Sequence, residues 1–447
     1  LANDHLSREG LRVAIGFPSA VMLVMGGMVG VGVFVNPAVV ARSLHSPALE
    51  LAAWGLGGVV ALLGALVYGE LAARIPHTGG EYVYLRSAFG PLVGFLFGWT
   101  TLLVVQAGGM AAVAIVFAKN LDVVLGGGGP PQYVTVIAVL AALAAVNAIG
   151  VRSGNGVQGW LGLLKVAVII VLVGAGLFFA PAAPPGPPMA VAATPDLLKT
   201  FGAAMIPVVF SYGGWQTSNY VAGEIKDPGR NLARALIVGV VGVIVLYLLV
   251  NVACIRALGM PALGATLTPT SDVLAKVAGP LGARLASAAI SISAIAFLSQ
   301  STLTGPRVYF AMARDGLFFR QLAAIGETSR VPVIAIVLQA AWTSLLALSG
   351  SYEQILSYVI AMNFLFFGLS AAALFILRRR ERQDGAAPPF RAPGHPWTTG
   401  LFILASVLVV ASSFWSFPIN SLIGYAIMLA GAPAYLIWRR RNATPRP

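Results

Sequence analysis

Charge and sulfur are both scarce in this chain. Only 10% of its 447 residues are Asp, Glu, Lys or Arg, against roughly a quarter in soluble domains, which excludes a water-soluble globular fold. The one cysteine, Cys254, can close no disulfide within the chain, and it lies inside an apolar run where no loop exposes it. A disulfide-linked partner subunit is therefore not expected. The four histidines, His5, His45, His77 and His395, fall in termini or loops, and none pairs with another at metal-ligand spacing. No metal or cofactor is implied, and without a paired nucleophile and base an intramembrane enzyme has no chemistry to run. A repeated filter sequence or a polar stripe along a pore is also missing, which argues against an ion channel.

What is abundant is apolar: 58% of the residues are hydrophobic and 51 are glycine. Apolar stretches of about 20 residues read as membrane spans, and twelve occur, near 14–41, 47–73, 89–118, 132–150, 157–180, 198–224, 232–254, 281–310, 331–349, 353–377, 398–417 and 419–438. The expected fold is an all-α membrane protein with twelve transmembrane helices, embedded in the lipid bilayer over nearly its whole length. The first run is too long, and its flanks too glycine-rich, for a cleaved leader, so it reads as a retained span.

A formal charge of +13 suggests nucleic acid until its distribution is examined. One set of alternate loops holds six Lys and Arg: Arg42, Lys119, Lys199, Arg256, Lys276 and Arg284. Lys165 lies inside a span, and the remainder of the 28, including Arg378, Arg379, Arg380, Arg382, Arg439, Arg440 and Arg441, fall on the opposite set. That asymmetry is the positive-inside pattern. It puts both termini in the cytoplasm of a cell-membrane protein and leaves no need for a nucleic-acid partner.

The chain divides at P-A-A-P-P-G-P-P-M-A, residues 181–190, which cannot be helical through so many prolines. Five spans precede this loop, and an interrupted span opens the group on either side of it. Because five is odd, the two interrupted helices cross in opposite directions, as an inverted repeat requires. The expected organisation is a first repeat over 1–180, a proline-rich extracellular loop over 181–196, a second repeat over 197–385, and two further spans with a basic cytoplasmic tail over 386–447. Gly58, Gly64, Gly94 and Gly98 suit close helix packing. Gly26, Gly27, Gly30 and Gly32, crowded ahead of Asn36-Pro37, suit a break.

The two breaks read G-G-M-V-G-V-G-V-F-V-N-P from Gly26 to Pro37 and V-F-S-Y-G-G-W-Q from Val209 to Gln216. In lipid, backbone that is not helical survives only where it lines a cavity. An interrupted span exposes carbonyls at the end of its first half and N–H groups at the start of its second, and the half-helix dipoles draw cations to the former and anions to the latter. The outer half of the first span is expected to begin near Val33, with the N–H groups of Val31, Gly32 and Val33 placed for a carboxylate. Carbonyls near Met28, with those of Phe210, Ser211 and Gly213, are placed for an ammonium. An α-amino acid carries both charges on a single carbon.

These motifs resemble the amino acid–polyamine–organocation superfamily, and within it the L-type amino acid transporter branch, whose first span carries G-S-G-I-F-V and whose sixth carries F-A-Y-G-G-W-N. Here they read G-V-G-V-F-V at Gly30 to Val35 and F-S-Y-G-G-W-Q at Phe210 to Gln216. The likeness continues through G-G-E-Y-V-Y-L-R-S-A-F-G-P at Gly79 to Pro91, E-I-K-D-P-G-R-N at Glu224 to Asn231, Y-L-L-V-N-V-A at Tyr247 to Ala253 and A-R-D-G-L at Ala313 to Leu317.

The resemblance implies a LeuT-like five-plus-five inverted repeat with broken helices 1 and 6, working by alternating access. Met28, Val31 and Gly32 match first-span positions that hold the substrate backbone, and Phe210, Ser211 and Gly213 match those on the sixth. Phe210 also matches the aromatic gate, and Tyr247 the seventh-span tyrosine that approaches it on closure. Val31 departs from the family's usual serine, losing a hydroxyl but not the backbone N–H.

Lys165 admits two readings from its position alone: it snorkels, being about seven residues or ~10 Å from the start of its span, or it is a buried charge that needs a partner. The resemblance implies that its ammonium bonds the broken first helix in place of a sodium ion, and hence that transport is sodium-independent. Glu70, Arg74, Glu81 and Arg86 read as interfacial charges or a cytoplasmic gate network, and Glu224, Lys226 and Asp227 as interfacial. Trp215 and Gln216 either face the pocket or pack; Gly109 leaves room for a substrate side chain. No acidic residue near either break argues against cationic substrates, and no arginine against dicarboxylic ones, which leaves neutral amino acids as the small-molecule partner; their size stays open, because Gly213 and Gly214 leave room that Phe210, Tyr212 and Trp215 could fill. The branch contains many exchangers, so amino acid exchange is expected, with proton symport the alternative.

Overall fold

The computed structural model describes residues 11, 13–149, 151–184, 195–327, 329–349, 352–384 and 388–443. Residues 185–194 of the proline-rich loop lie outside them. In chain order the helices are α1 (Phe17–Met28), α2 (Gly32–Leu44), α3 (Pro47–Arg74), α4 (Glu81–Phe89), α5 (Pro91–Thr100), α6 (Gln106–Val124), α7 (Gln132–Ile149), α8 (Val151–Gly174), α9 (Pro195–Ser211), α10 (Pro228–Ala265), α11 (Pro269–Arg314), α12 (Val333–Ser349), α13 (Tyr352–Asp384), α14 (Trp397–Ser416) and α15 (Pro418–Ala443). Among the described residues the only β pairing is one isolated bridge, Ile15 with Ile225.

Local chemistry sets several boundaries. Prolines occupy the first position of α3, α5, α10 and α11, where a missing N–H costs nothing and the fixed φ already suits a helix. Ser46 caps α3 by accepting the Leu49 N–H. A widened π turn at Thr101–Val105 joins α5 to α6, and such turns concentrate at functional sites.

Among the described residues ten helices are long and apolar enough to cross a membrane, and α1 with α2 makes an eleventh, its halves bent by 41° at the expected break. The ninth apolar run forms α12, a helix of 17 residues, shorter than the others. The span expected over 198–224 is not one α-helix: α9 stops at Ser211, and the chain resumes after a turn as a tighter 3₁₀ helix, Trp215–Glu224. Three side chains account for the change, each bonding a carbonyl three residues back: Thr217 to Gly214, Ser218 to Trp215 and Asn219 to Gln216. Such bonds compete with the α-helical ladder.

Burial sorts the helices into centre and rim. The span made by α5 and α6 is 83% buried, whereas α15 is 22% buried and turns Leu422, Leu429 and Leu436 outward. Exposed leucines on helices of this length face lipid. The centre holds α1, α3, α6, α9, α10, α11 and α13, and the two breaks sit among them.

Candidate substrate-binding site

The first break is held from outside. The helix ends at Met28, Val29 turns the chain with ψ 83°, and α2 restarts at Gly32 with Val31 as its N-cap, one residue earlier than expected. Its first N–H groups have no carbonyl one turn back to bond. On the other side, Lys165 is fully buried and does not snorkel: its Nζ donates to Gly26 O at 2.7 Å and Val29 O at 2.6 Å. Tyr247 Oη donates to Met28 O at 2.8 Å and to Ser211 O at 3.0 Å, so one hydroxyl ties the two breaks together. Asn36, on α2, adds a second tie by donating to Pro207 O and Ser211 Oγ.

The second break caps itself. The Gly213 N–H donates to Phe210 O, and the Gly214 N–H to Gln216 Oε1 at 2.9 Å. Gly214 has φ 105°, a conformation that side chains resist. A Cβ there would also stand 2.1 Å from Gly27 O. The breaks therefore meet backbone to backbone, glycine against glycine, and at Gly32 a Cβ would stand 2.7 Å from Ser211 Oγ.

Between them lies a cavity of about 70 Å³. Met28, Val31, Gly32, Phe210, Ser211 and Gly213 all line it, as do Gly109 and Gln216. Gly109 has open space where a side chain would be. Trp215 is not a lining residue; its ring packs on Tyr68 at 4.8 Å and Phe367 at 5.3 Å. Tyr247 stands behind the carbonyls it bonds. Sequence reasoning missed Gln106, Phe297, Ser301 and Asn363, which close the cavity from α6, α11 and α13. Among the described residues none that lines it is charged.

A dense polar layer closes the bundle at the end where α1 begins. Glu224 is buried in an ion pair with Arg307 at 2.8 Å, away from the cavity; Lys226 and Asp227 are exposed. Glu70 pairs with Arg74 and Arg378, and Arg86 with Asp315. Among the described residues Glu81 has no cation: it accepts from Tyr68 Oη at 2.6 Å and Tyr220 Oη at 2.9 Å. Burial pushes its carboxyl up to about 7, against the lowering effect of the two hydroxyls.

The sequence model of a family described as Amino acid permease matches residues 15–437. The chain belongs to that family. It is 31% identical to the serine/threonine exchanger SteT of Bacillus subtilis (strain 168), over 98% of this chain and 100% of the relative. It is 30% identical to the large neutral amino acids transporter small subunit 2 of Rattus norvegicus, over 96% of this chain and 81% of that one. With the b(0,+)-type amino acid transporter 1 of Mus musculus the identity is 26%, over 91% and 85%. These matches place the chain in the L-type branch of the amino acid–polyamine–organocation superfamily, as a multi-pass membrane protein whose relatives are amino acid transporters rather than enzymes.

Proposed function

We propose that this protein exchanges small neutral amino acids across the cell membrane, independently of sodium, by alternating access on a twelve-span LeuT-like repeat. The observation that carries this reading is the convergence of both breaks on one uncharged cavity. The substrate carboxylate meets the free N–H groups of Val31, Gly32 and Val33, and its ammonium meets the carbonyls of Met28, Phe210, Ser211 and Gly213. Phe210 and Tyr247 gate the site. Gln106, Ser301 and Asn363 add polar but uncharged groups, which suits neutral side chains, hydroxyl-bearing ones included; the name of the Bacillus relative supports both this and exchange. Lys165 supplies a fixed cation where related folds use a metal ion.

In this reading α12 is the ninth of twelve spans, residues 1–180 and 197–385 are the two repeats, 181–196 is the loop between them, and 386–447 is appended. Both termini are cytoplasmic, so the polar layer around Glu224 and Glu81 is the closed cytoplasmic gate. Cys254 is free and buried in α10, so no disulfide-linked partner is needed.

Uptake of radiolabelled serine and alanine into proteoliposomes tests the reading, with and without internal amino acid, sodium, and a pH gradient. Trans-stimulated uptake indifferent to sodium is the expected result. A sodium requirement would refute the role of Lys165, and accumulation in empty vesicles driven by the pH gradient would replace exchange by proton symport.

A further inference from the structure

Glu50 is a titratable group that the transport reading leaves unused. It stands in the first turn of α3, at the end assigned to the outside, and is 0% exposed. Neither of its carboxyl oxygens has a hydrogen-bond partner. It is one of a set: Trp54 Nε1 a turn further along α3, Asn251 Oδ1 on α10 and the Tyr212 hydroxyl at the second break are also buried without partners.

Helix register brings these groups into line. α3 and α10 form the most extensive helix pair of the fold; the Trp54 ring meets Tyr247 at 5.7 Å and Gly58 faces Ile244, so the two helices run antiparallel. By the same register, one turn outward from the Trp54–Tyr247 contact, Glu50 comes opposite Asn251. One turn inward, Tyr212 packs against Trp54 and Tyr247. The line runs from the outer end of α3 to the carbonyls that Tyr247 bonds in the cavity wall.

The nearby cations are engaged elsewhere. Arg42 donates to Gly264 O and Thr266 O, Arg256 to Gly176 O and Ala180 O, and Lys276 to Ala257 O. Lys199 of α9 lies over the Trp415 ring, Asp272 accepts from Thr266, His45 is exposed, and Arg378 of α13 binds Glu70 at the opposite end of α3. A carboxylate with neither a cation nor a donor is among the costliest groups to bury. The neutral acid removes that cost and carries an O–H donor, on the same seam as Asn251 Oδ1, which has no partner.

We propose that Glu50 is a proton-binding site, loaded while the α3–α10 seam is packed and emptied to the outer solution when the seam opens. Only its place in a transport cycle rests on the function proposed above. The test compares the full-length protein with Glu50→Gln, which keeps the shape and supplies an N–H donor, by thermal unfolding from about pH 5.5 to about pH 8.5. A carboxyl that holds its proton when folded and loses it when unfolded makes the folded state lose ground as pH rises above the ordinary carboxylate range. The wild-type midpoint should therefore fall by several degrees relative to E50Q across that interval.

N,N′-dicyclohexylcarbodiimide, which adds to the acid form and partitions into lipid, should modify Glu50 near neutral pH and spare Asp272; the Glu50 peptide gains the mass of one reagent molecule. In proteoliposomes, acidifying the outside holds the proton on Glu50 and the seam packed, so wild-type uptake limited by outward opening should slow several-fold while E50Q is unchanged. A midpoint gap that is constant with pH, or a pH profile of uptake that E50Q preserves, overturns the proposal. If E50Q fails to fold, the labelling decides: a Glu50 left unmodified near pH 6 overturns it. Absence of any neutral amino acid uptake by the wild type would remove the transport reading instead, and leave the midpoint and labelling results standing.

Discussion

The two breaks are built alike from glycine and held by opposite means. The first is pinned by other helices: Lys165 of α8 holds Gly26 O and Val29 O, Tyr247 of α10 holds Met28 O, and Ser293 of α11 reaches Val29 O and Gly30 O. The second is closed mainly by its own residues, Gly213 returning to Phe210, Gln216 capping Gly214, and Thr217 bonding Gly214 O. A segment pinned by neighbours must change when those neighbours move, whereas a self-capped one travels as a unit. The first break is thus the part of the site that senses helix packing, and the second the part that carries its ammonium acceptors intact.

The strongest way to break this contrast is Lys165→Met. It leaves two carbonyls without their donor in the protein interior, and hydrogen bonds to a charged group are worth roughly 1.5–3 kcal/mol each. Initial uptake rates in proteoliposomes, at matched amounts of folded protein, should fall by about 100-fold or more. Lys165→Arg should not restore them, because a planar fork cannot replace a compact ammonium. A variant within a few-fold of wild type would show that the first break needs no outside brace.

Next in size is the contact between the breaks. Gly214→Ala adds a Cβ at 2.1 Å from Gly27 O on a residue with φ 105°, and backbone strain alone costs on the order of 1–3 kcal/mol. Uptake should drop by at least about tenfold. Gly27→Ala, which brings a Cβ to 2.6 Å from Gly214 O, should drop it comparably, and the double variant should be no worse than either alone, since both separate the same pair. Strict additivity would mean that the two glycines serve different contacts.

A smaller effect separates the two modes of support. Tyr247→Phe removes the hydroxyl shared by Met28 O and Ser211 O, and Gln216→Ala removes the cap on Gly214; each should cost about 1 kcal/mol, or several-fold in substrate affinity measured by scintillation proximity. The difference lies in rescue. Gln216→Glu, compared with wild type at about pH 5 where a buried carboxyl is neutral, keeps an acceptor for the Gly214 N–H and should bind nearly as wild type, while no substitution on α9 should restore Tyr247→Phe. Failure of Gln216→Glu would mean that the second break is not held by its own cap.

Both breaks were legible in the sequence because glycine clusters inside membrane-length apolar runs have few other uses, and the motifs fixed which of their residues line the cavity. From its position alone Lys165 was legible only as a charge, since its depth along a helix does not say which way the helix faces; the resemblance pointed to it as a brace of the first helix, and its bonds run to Gly26 O and Val29 O. The side-chain end of the pocket was hidden. Gln106, Ser301 and Asn363 are polar residues in apolar spans, but so are Thr101, Gln300, Thr302 and Gln339, and only the packing of α6, α11 and α13 selects among them. The 3₁₀ helix after Gly214 had a signal that went unread: Thr, Ser and Asn in succession, each able to bond the turn behind it. Glu224 and Glu81 were legible as charges at the end of a span, but their burial was not, because only a partner from a distant helix covers each of them.

The least effect is expected where the self-capped break meets the gate. Tyr220 and Asn219 lie on the 3₁₀ helix that follows the second break; Tyr220 donates to Glu81, and Asn219 accepts from Tyr84. Burial raises Glu81 from 4.5 to about 7, and any state that opens this end to water returns it to the ordinary carboxylate range. The closed state therefore binds more protons between those two values, so its advantage is greatest at low pH, declines as pH rises through that interval, and levels off above about 7. A rate limited by opening this end should then rise a few-fold as the pH on that side is raised from about 5 to about 7 and stay flat beyond it, and Glu81→Gln should remove the dependence while Lys165 variants, acting on the other break, keep its shape. A wild-type rate that instead climbs as the pH on that side falls would place the tether's proton in the open state, and with it would go the distinction between a break that moves as a unit on a titratable tether and one that is pinned.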